Sequence, residues 1–164
     1  CDGLIFCDDW GLQDRLMIRP ESWREFWKPC YAAIYGAAHD AGMLTFLHSC
    51  GYIVDILDDL IEAGLDVIQM DQQENMGLDL LSERFRRRIT FYCPVDIQQT
   101  MCRGSLDDIR ADARYAYEHA GPGGGFIMGS THSLAVDAKA ENILEMKRCR
   151  DEWGSYPIDP GRFR

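Results

Sequence analysis

The chain has 164 residues, 46% of them hydrophobic and 27% charged, which is ordinary globular composition and enough for one domain with a core. Its formal net charge of −10 argues against a nucleic-acid backbone as partner, since that needs clustered Lys and Arg. No apolar run approaches the ~18 residues required to span a bilayer.

Short apolar runs alternate with helical stripes from the first residues. Gly3 to Cys7 (GLIFC) reads as a strand already under way, so the sequence is expected to start inside a domain. Pro20-Glu21-Ser22 opens a helix, with proline in the first turn where its missing N–H costs nothing. Trp23, Phe26, Trp27, Cys30, Tyr31, Ile34 and Ala38 follow at helical spacing. Pro29 should kink or split that helix, and Gly42 should end it. Met43 to Leu47 is the second predicted strand. Ile53, Ile56, Leu57, Leu60 and Ile61 form a stripe closed by Gly64. Leu65 to Met70 is the third strand, and Leu78, Leu81 and Phe85 mark a short helix. Ile89 to Cys93 is the fourth strand. Ser105-Leu106-Asp107-Asp108 resembles a capping box, continued by Ile109, Ala113, Ala116 and Tyr117. After the Gly121-Pro122-Gly123-Gly124 loop come a fifth strand, Gly125 to Met128, a last helix, Glu141 to Arg150, and an irregular tail.

Strands alternating with helices imply βαβ units and a parallel sheet. An open doubly wound sheet and part of a (β/α)8 barrel both fit; no G-x-G-x-x-G follows the first strand. A whole barrel takes ~250 residues. Residues 1–164 are therefore read as one part of a single domain.

Polar residues collect where the strands end. Asp8, Asp9 and Trp10 follow the first. His48, Ser49 and Cys50 follow the second. Gln69, Asp71, Gln72 and Gln73 follow the third, Cys93 and Asp96 the fourth, and Ser130, Thr131 and His132 the fifth. Those ends form the active face of parallel α/β folds. In an extended strand His48 and Cys50 point to one side, and imidazole with thiolate suits zinc. The pair alone also fits a core cysteine beside a hydrogen-bonded histidine. A third ligand is needed: His132 is the first choice, with Cys93 and Asp9 in reserve. Three protein ligands would leave zinc an open fourth position. His39 and His119, inside helices, receive no role. Arg84, Arg86, Arg87 and Arg88 read as a solvated helix end. Seven scattered cysteines suit a reducing cytoplasm, most of them as small buried hydrophobes.

Four segments carry a family resemblance: Ile5-Phe6-Cys7-Asp8-Asp9-Trp10-Gly11, Phe46-Leu47-His48-Ser49-Cys50-Gly51, Pro94-Val95-Asp96, and Gly124-Gly125-Phe126-Ile127-Met128 through Glu141-Asn142-Ile143. Together with the Pro20–Phe26 helix they resemble the uroporphyrinogen decarboxylase superfamily, over nearly the whole chain and in order. The resemblance implies the C-terminal half of a (β/α)8 barrel, with about five strand–helix units. One branch of that superfamily is the cofactor-free decarboxylase of haem biosynthesis. The other moves methyl groups between a corrinoid protein and a thiol or an O- or N-methyl compound. It carries zinc on an H-x-C pair plus a cysteine at the last strand.

His48 and Cys50 match that pair, and His132 stands where the cysteine would fall. A histidine there also resembles the decarboxylase. The methyltransferase-like branch is the preferred reading, with uroporphyrinogen decarboxylation second and a non-catalytic half-barrel interaction module third. It implies zinc on His48, Cys50 and His132, and catalytic roles for Asp9 and His132. Asp8, Trp10, Gln69, Asp71 and Asp96 would contact the substrate. The implied partners are a small molecule, a corrinoid protein, the other half of the barrel, and in one arrangement a second copy of the chain.

Overall fold

Five strands form one parallel sheet in the order β1-β2-β3-β4-β5: Gly3–Cys7, Leu44–His48, Val67–Gln69, Thr90–Cys93 and Phe126–Met128. The computed structural model describes residues 1–130, 134 and 136–163. Helices α1 (Pro20–Phe26) and α2 (Lys28–Asp40) lie between β1 and β2. α3 (Val54–Glu62) follows β2, and α4 (Leu78–Phe85) follows β3. α5 (Thr100–Arg103) and α6 (Leu106–Ala120) follow β4, and α7 (Ala140–Trp153) follows β5. Sequential parallel strands joined by helices are the units of a (β/α)8 barrel, five of which are present.

The split expected at Pro29 falls between α1 and α2. Pro29 occupies the first turn of α2, where a missing N–H is harmless, and cannot donate within a continuous helix. Gly42 (φ +72°) and Gly64 (φ +106°) end the first two helix layers in left-handed turns. The capping box of α6 forms as read: Ser105 Oγ accepts from the Asp108 N–H, and the Asp108 carboxylate accepts from the Ser105 N–H. Three short elements lack a sequence signature: α5 and 3-10 turns at Gln73–Asn75 and Pro160–Phe163.

Alternation along the strands divides their side chains between two faces. Leu47, Ile68, Phe91 and Phe126 point toward the helices and join the main core with Ile56, Leu57 and Leu60 of α3 and Ile109 and Ala113 of α6. Each fully buried leucine or isoleucine there contributes about 1.5–3 kcal/mol. The opposite, inner face is open: Ile5 and Leu44 are more than half exposed. Asp59, buried on α3, ties down the first two helices by pairing with Arg24 and Lys28 (2.8 Å each).

The cysteine reading needs correction. Only Cys93 and Cys149 are buried, while Cys1, Cys7 and Cys30 are exposed; all seven are free thiols. Cys7 is exposed because its strand parity turns it to the inner face. The arginine cluster is exposed, as read, but also paired. Arg84 and Arg88 bind Asp58 of α3, and Arg86 donates to the His119 carbonyl. Among the described residues, no helix is long and apolar enough to cross a membrane.

Candidate metal centre

β1 and β2 run side by side in parallel, with Cys7 opposite His48, so their C-terminal ends emerge together. Alternation then sorts the residues that follow. Ser49 turns toward the helices and accepts the Trp10 backbone N–H (3.1 Å), while His48 and Cys50 stay on the inner side. Asp8 and Asp9 part in the same way. Asp9 meets the His48–Cys50 pair: its Oδ1 accepts the Cys50 backbone N–H at 2.8 Å and lies 3.4 Å from His48 Nε2. Cys50 Sγ is 3.3 Å from the same nitrogen. One ligand atom each from Asp9, His48 and Cys50 therefore falls within 4.8 Å of the others.

Two glycines make this approach feasible. A Cβ on Gly11 would sit 2.3 Å from the Tyr52 nitrogen, and one on Gly51 (φ +75°) would sit 2.4 Å from the Gly11 carbonyl. The two backbones thus cross in contact. The crossing is bracketed by hydrogen bonds from Gly11 N–H to the Cys50 carbonyl (3.2 Å) and from Tyr52 N–H to the Leu12 carbonyl (2.7 Å). Gln72 Oε1 accepts the Gly51 N–H (2.8 Å), anchoring the turn to the end of β3.

β3 also supplies Gln69, in register with His48. Gln69 Oε1 meets His48 Nδ1, and Gln69 Nε2 donates to Asp71 Oδ1 at 2.7 Å. All three side chains are buried. Burial, then the charges of Asp9 and Asp71, push the Cys50 thiol up to about 12. A cation among these ligands would reverse that effect, since a coordinating thiol is deprotonated outright.

The other residues read from the sequence as site members lie elsewhere. Asp8 faces the helices and accepts from the Tyr31 hydroxyl (2.8 Å), which in turn accepts from Trp10 Nε1 (2.9 Å). Trp10 packs edge-on against Trp23 and Trp27. Burial and the Asp8 carboxylate raise the Tyr31 phenol far above its ordinary range. Asp96 lies in the turn that leads into α5, accepting N–H groups from Gln98, Gln99 and Thr100 at 2.9–3.2 Å. Cys93, held in reserve as a ligand, points into the helix layer and is fully buried, which drives its thiol well up. His132 lies outside the described residues. The sequence reading held Asp9 in reserve with Cys93, behind His132, and missed the crossing of Gly11 and Gly51. The signal for both was present: each glycine closes one of the two strand-end segments.

The uroporphyrinogen decarboxylase (URO-D) family profile matches residues 2–153. The chain belongs to the URO-D family. Two relatives within reach of this URO-D chain are methylcobamide:CoM methyltransferases MtaA, from Methanosarcina barkeri and from M. barkeri strain Fusaro / DSM 804. They are 24% and 23% identical over 140 residues, or 84% of this chain and 38% of each relative. A solved methyltransferase from Methanosarcina mazei superposes with a TM-score of 0.70 at 22% identity. It covers 94% of this chain and 43% of its own, a likeness of fold. The chain thus spans about two-fifths of the length of the curated relatives it matches.

Proposed function

We propose that this URO-D chain carries the metal-binding part of a methyltransferase that moves a methyl group between a corrinoid protein and a thiol or an O- or N-methyl compound. One observation carries the reading: the convergence of Asp9 Oδ1, His48 Nε2 and Cys50 Sγ within 4.8 Å. Nitrogen, sulfur and carboxylate oxygen are the donor set that zinc takes, and three protein ligands leave a position for a substrate atom. The surroundings suit a cation, because Asp9 and Asp71 work against an unmetallated thiolate at Cys50. Similarity to two methylcobamide:CoM methyltransferases supports the same branch.

In this reading His48 and Cys50 hold the metal and Asp9 completes the described ligand set. In the set expected from the sequence His132 takes the place of Asp9, which likewise keeps the fourth position open. Zinc held there would lower the pKa of a bound thiol, or activate a leaving oxygen or nitrogen as a Lewis acid. Asp9, with half its side chain exposed, holds the Cys50 backbone and presents its remaining lone pairs to the open face, where it can orient an acceptor or take its proton. A polycarboxylate porphyrinogen would call for cationic groups here, whereas these strand ends contribute acids and amides.

The test is elemental analysis of the purified chain beside Cys50→Ser, with circular dichroism to show that both are folded. The expected result is about one zinc per chain, lost in the variant. Folded protein with no metal would overturn the metal reading and turn the next assay to porphyrinogen decarboxylation.

A further inference from the structure

The turn between α4 and β4 holds a residue that its backbone does not favour. Phe85 to Arg88 form a β-turn closed by the Arg88 N–H on the Phe85 carbonyl (2.9 Å). Arg86 has φ −49° and ψ 137°, and Arg87 has φ +68°. That is the type II pattern, whose third residue is normally glycine or asparagine. Among the described residues Arg87 is the one non-glycine at positive φ. Strain kept at an exposed turn, where glycine would relieve it, points to a use for the side chain.

The guanidinium lies beside a loop that leaves it uncovered. A Cβ on Gly123 would sit 3.9 Å from both Arg87 Nε and Nη2. Gly123, Gly124 and Gly125 all have positive φ (+87°, +92° and +82°), which keeps the stretch before β5 free of side chains. Arg84 and Arg88 pair with Asp58, and Arg86 donates to the His119 carbonyl. Arg87 has no partner among the described residues, although the chain carries 27 acids against 17 Lys and Arg. The N–H groups of Gly123 and Gly125 have none either among the described residues.

Arg87, Arg88 and the three glycines border a cavity of about 440 Å³, with Leu44 and Val67 as an apolar wall. That is the size of a small-molecule site. The cavity lies at the N-terminal ends of the strands, about 13 Å along β2 from His48, and so apart from the candidate metal centre. One carboxylate lines it, Asp66, which is already engaged by His39 Nε2 (2.9 Å) and the Thr45 N–H (2.8 Å).

We infer that this cavity binds a phosphoryl group, free or carried by a small organic molecule. Arg87 offers a planar fork and Arg88 a second cation, which together suit a doubly charged oxyanion. The glycine N–H groups add donors that no side chain covers. Leu44 and Val67 would meet the organic part.

The test is a 1H–15N NMR titration of the 15N-labelled chain with inorganic phosphate, with chloride holding the ionic strength constant. Expected are saturable shifts at the Arg87 Nε–H and the Gly123–Gly125 amides, and an affinity roughly tenfold or more weaker in Arg87→Gly. Glycine suits the backbone at that position, so Arg87→Gly should unfold at higher urea than wild type, which separates lost binding from lost fold. Arg87→Lys, which keeps the charge without the fork, should fall between the two. Repeating the titration with phenyl phosphate distinguishes the sources: tighter binding assigns an organic phosphate, equal binding the free ion. The inference is overturned by a wild-type chain with no saturable shift, or by an affinity unchanged in Arg87→Gly. Shifts confined to Asp9 and His48–Cys50 would also overturn it, because they would put the anion at the metal centre.

Discussion

Replacing Gly51 with alanine tests whether the crossing of two backbones holds the candidate centre together. The new Cβ would lie 2.4 Å from the Gly11 carbonyl carbon and oxygen and 2.5 Å from the Leu12 carbonyl oxygen. Comfortable carbon contacts begin near ~3.5 Å, so the strands' ends must part by roughly 1 Å. Two hydrogen bonds flank the contact, at 3.2 and 2.7 Å, and losing each costs about 1 kcal/mol. Holding a non-glycine residue at the positive φ of Gly51 (+75°) adds about 1 kcal/mol. The sum is a destabilisation of about 3 kcal/mol, to be read by urea denaturation. Gly36→Ala provides the opposite sign. Gly36 is exposed within α2, and a Cβ there meets nothing within 4 Å, so alanine should stabilise by about 0.5–1 kcal/mol. The two variants should therefore differ by about 4 kcal/mol, and only Gly51→Ala should reduce zinc retention. A Gly51→Ala chain within about 0.5 kcal/mol of wild type would refute the reasoning.

Tyr31→Phe removes the hydroxyl that accepts from Trp10 and donates to Asp8, and should cost about 1–3 kcal/mol in urea denaturation, with a shift in tryptophan fluorescence. Leu60→Ala, at a fully buried position of α3, should cost about 2–5 kcal/mol in the same measurement. Glu145 joins α7 to α6 through Arg110 at 2.8 Å, and hydrogen bonds from Arg110 and then Arg148 hold its carboxyl below the ordinary range. A lowered carboxyl contributes stability above its unfolded value of ~4.3 and loses it as the pH falls through the lower folded value. Glu145→Gln should therefore be less stable than wild type at neutral pH, and the gap should close below about pH 4, as followed by stability measured against pH.

The fold was legible where burial is one-sided. Strands β1 to β5 show as short apolar runs, and α3 and α6 as stripes, because each buries one face against a continuous core. Pro29, Gly42 and Ser105 act through their own backbone chemistry, so their effects could be read locally. Helix α5 could not, since four residues carry no periodicity and its start depends on Asp96 accepting three N–H groups. The candidate centre was half legible. His48 and Cys50 share a parity visible in the sequence. Treating every polar residue at a strand end as one set, however, placed Asp8, Trp10 and Asp96 beside them, although strand alternation sends Asp8 toward Tyr31. Contacts between segments 40 residues apart, such as Gly11 with Gly51, leave no local pattern.

The opposed orientations of Asp8 and Asp9 also govern what β1 can tolerate in its length. Phe6 meets Tyr35, Asp8 meets Tyr31, and Asp9 meets Cys50, so each duty belongs to a count along the strand as much as to a residue type. Deleting a single residue between Gly3 and Cys7 would move Asp9 into the place of Asp8 and Trp10 into the place of Asp9, so the candidate metal ligands would lose their carboxylate. Inserting one would move Asp8 into the place of Asp9 and Cys7 into the place of Asp8, so the aromatic layer would lose its acceptor. Conservative substitutions in the same stretch would leave that count intact, so β1 should accept changes of spelling far more readily than changes of length.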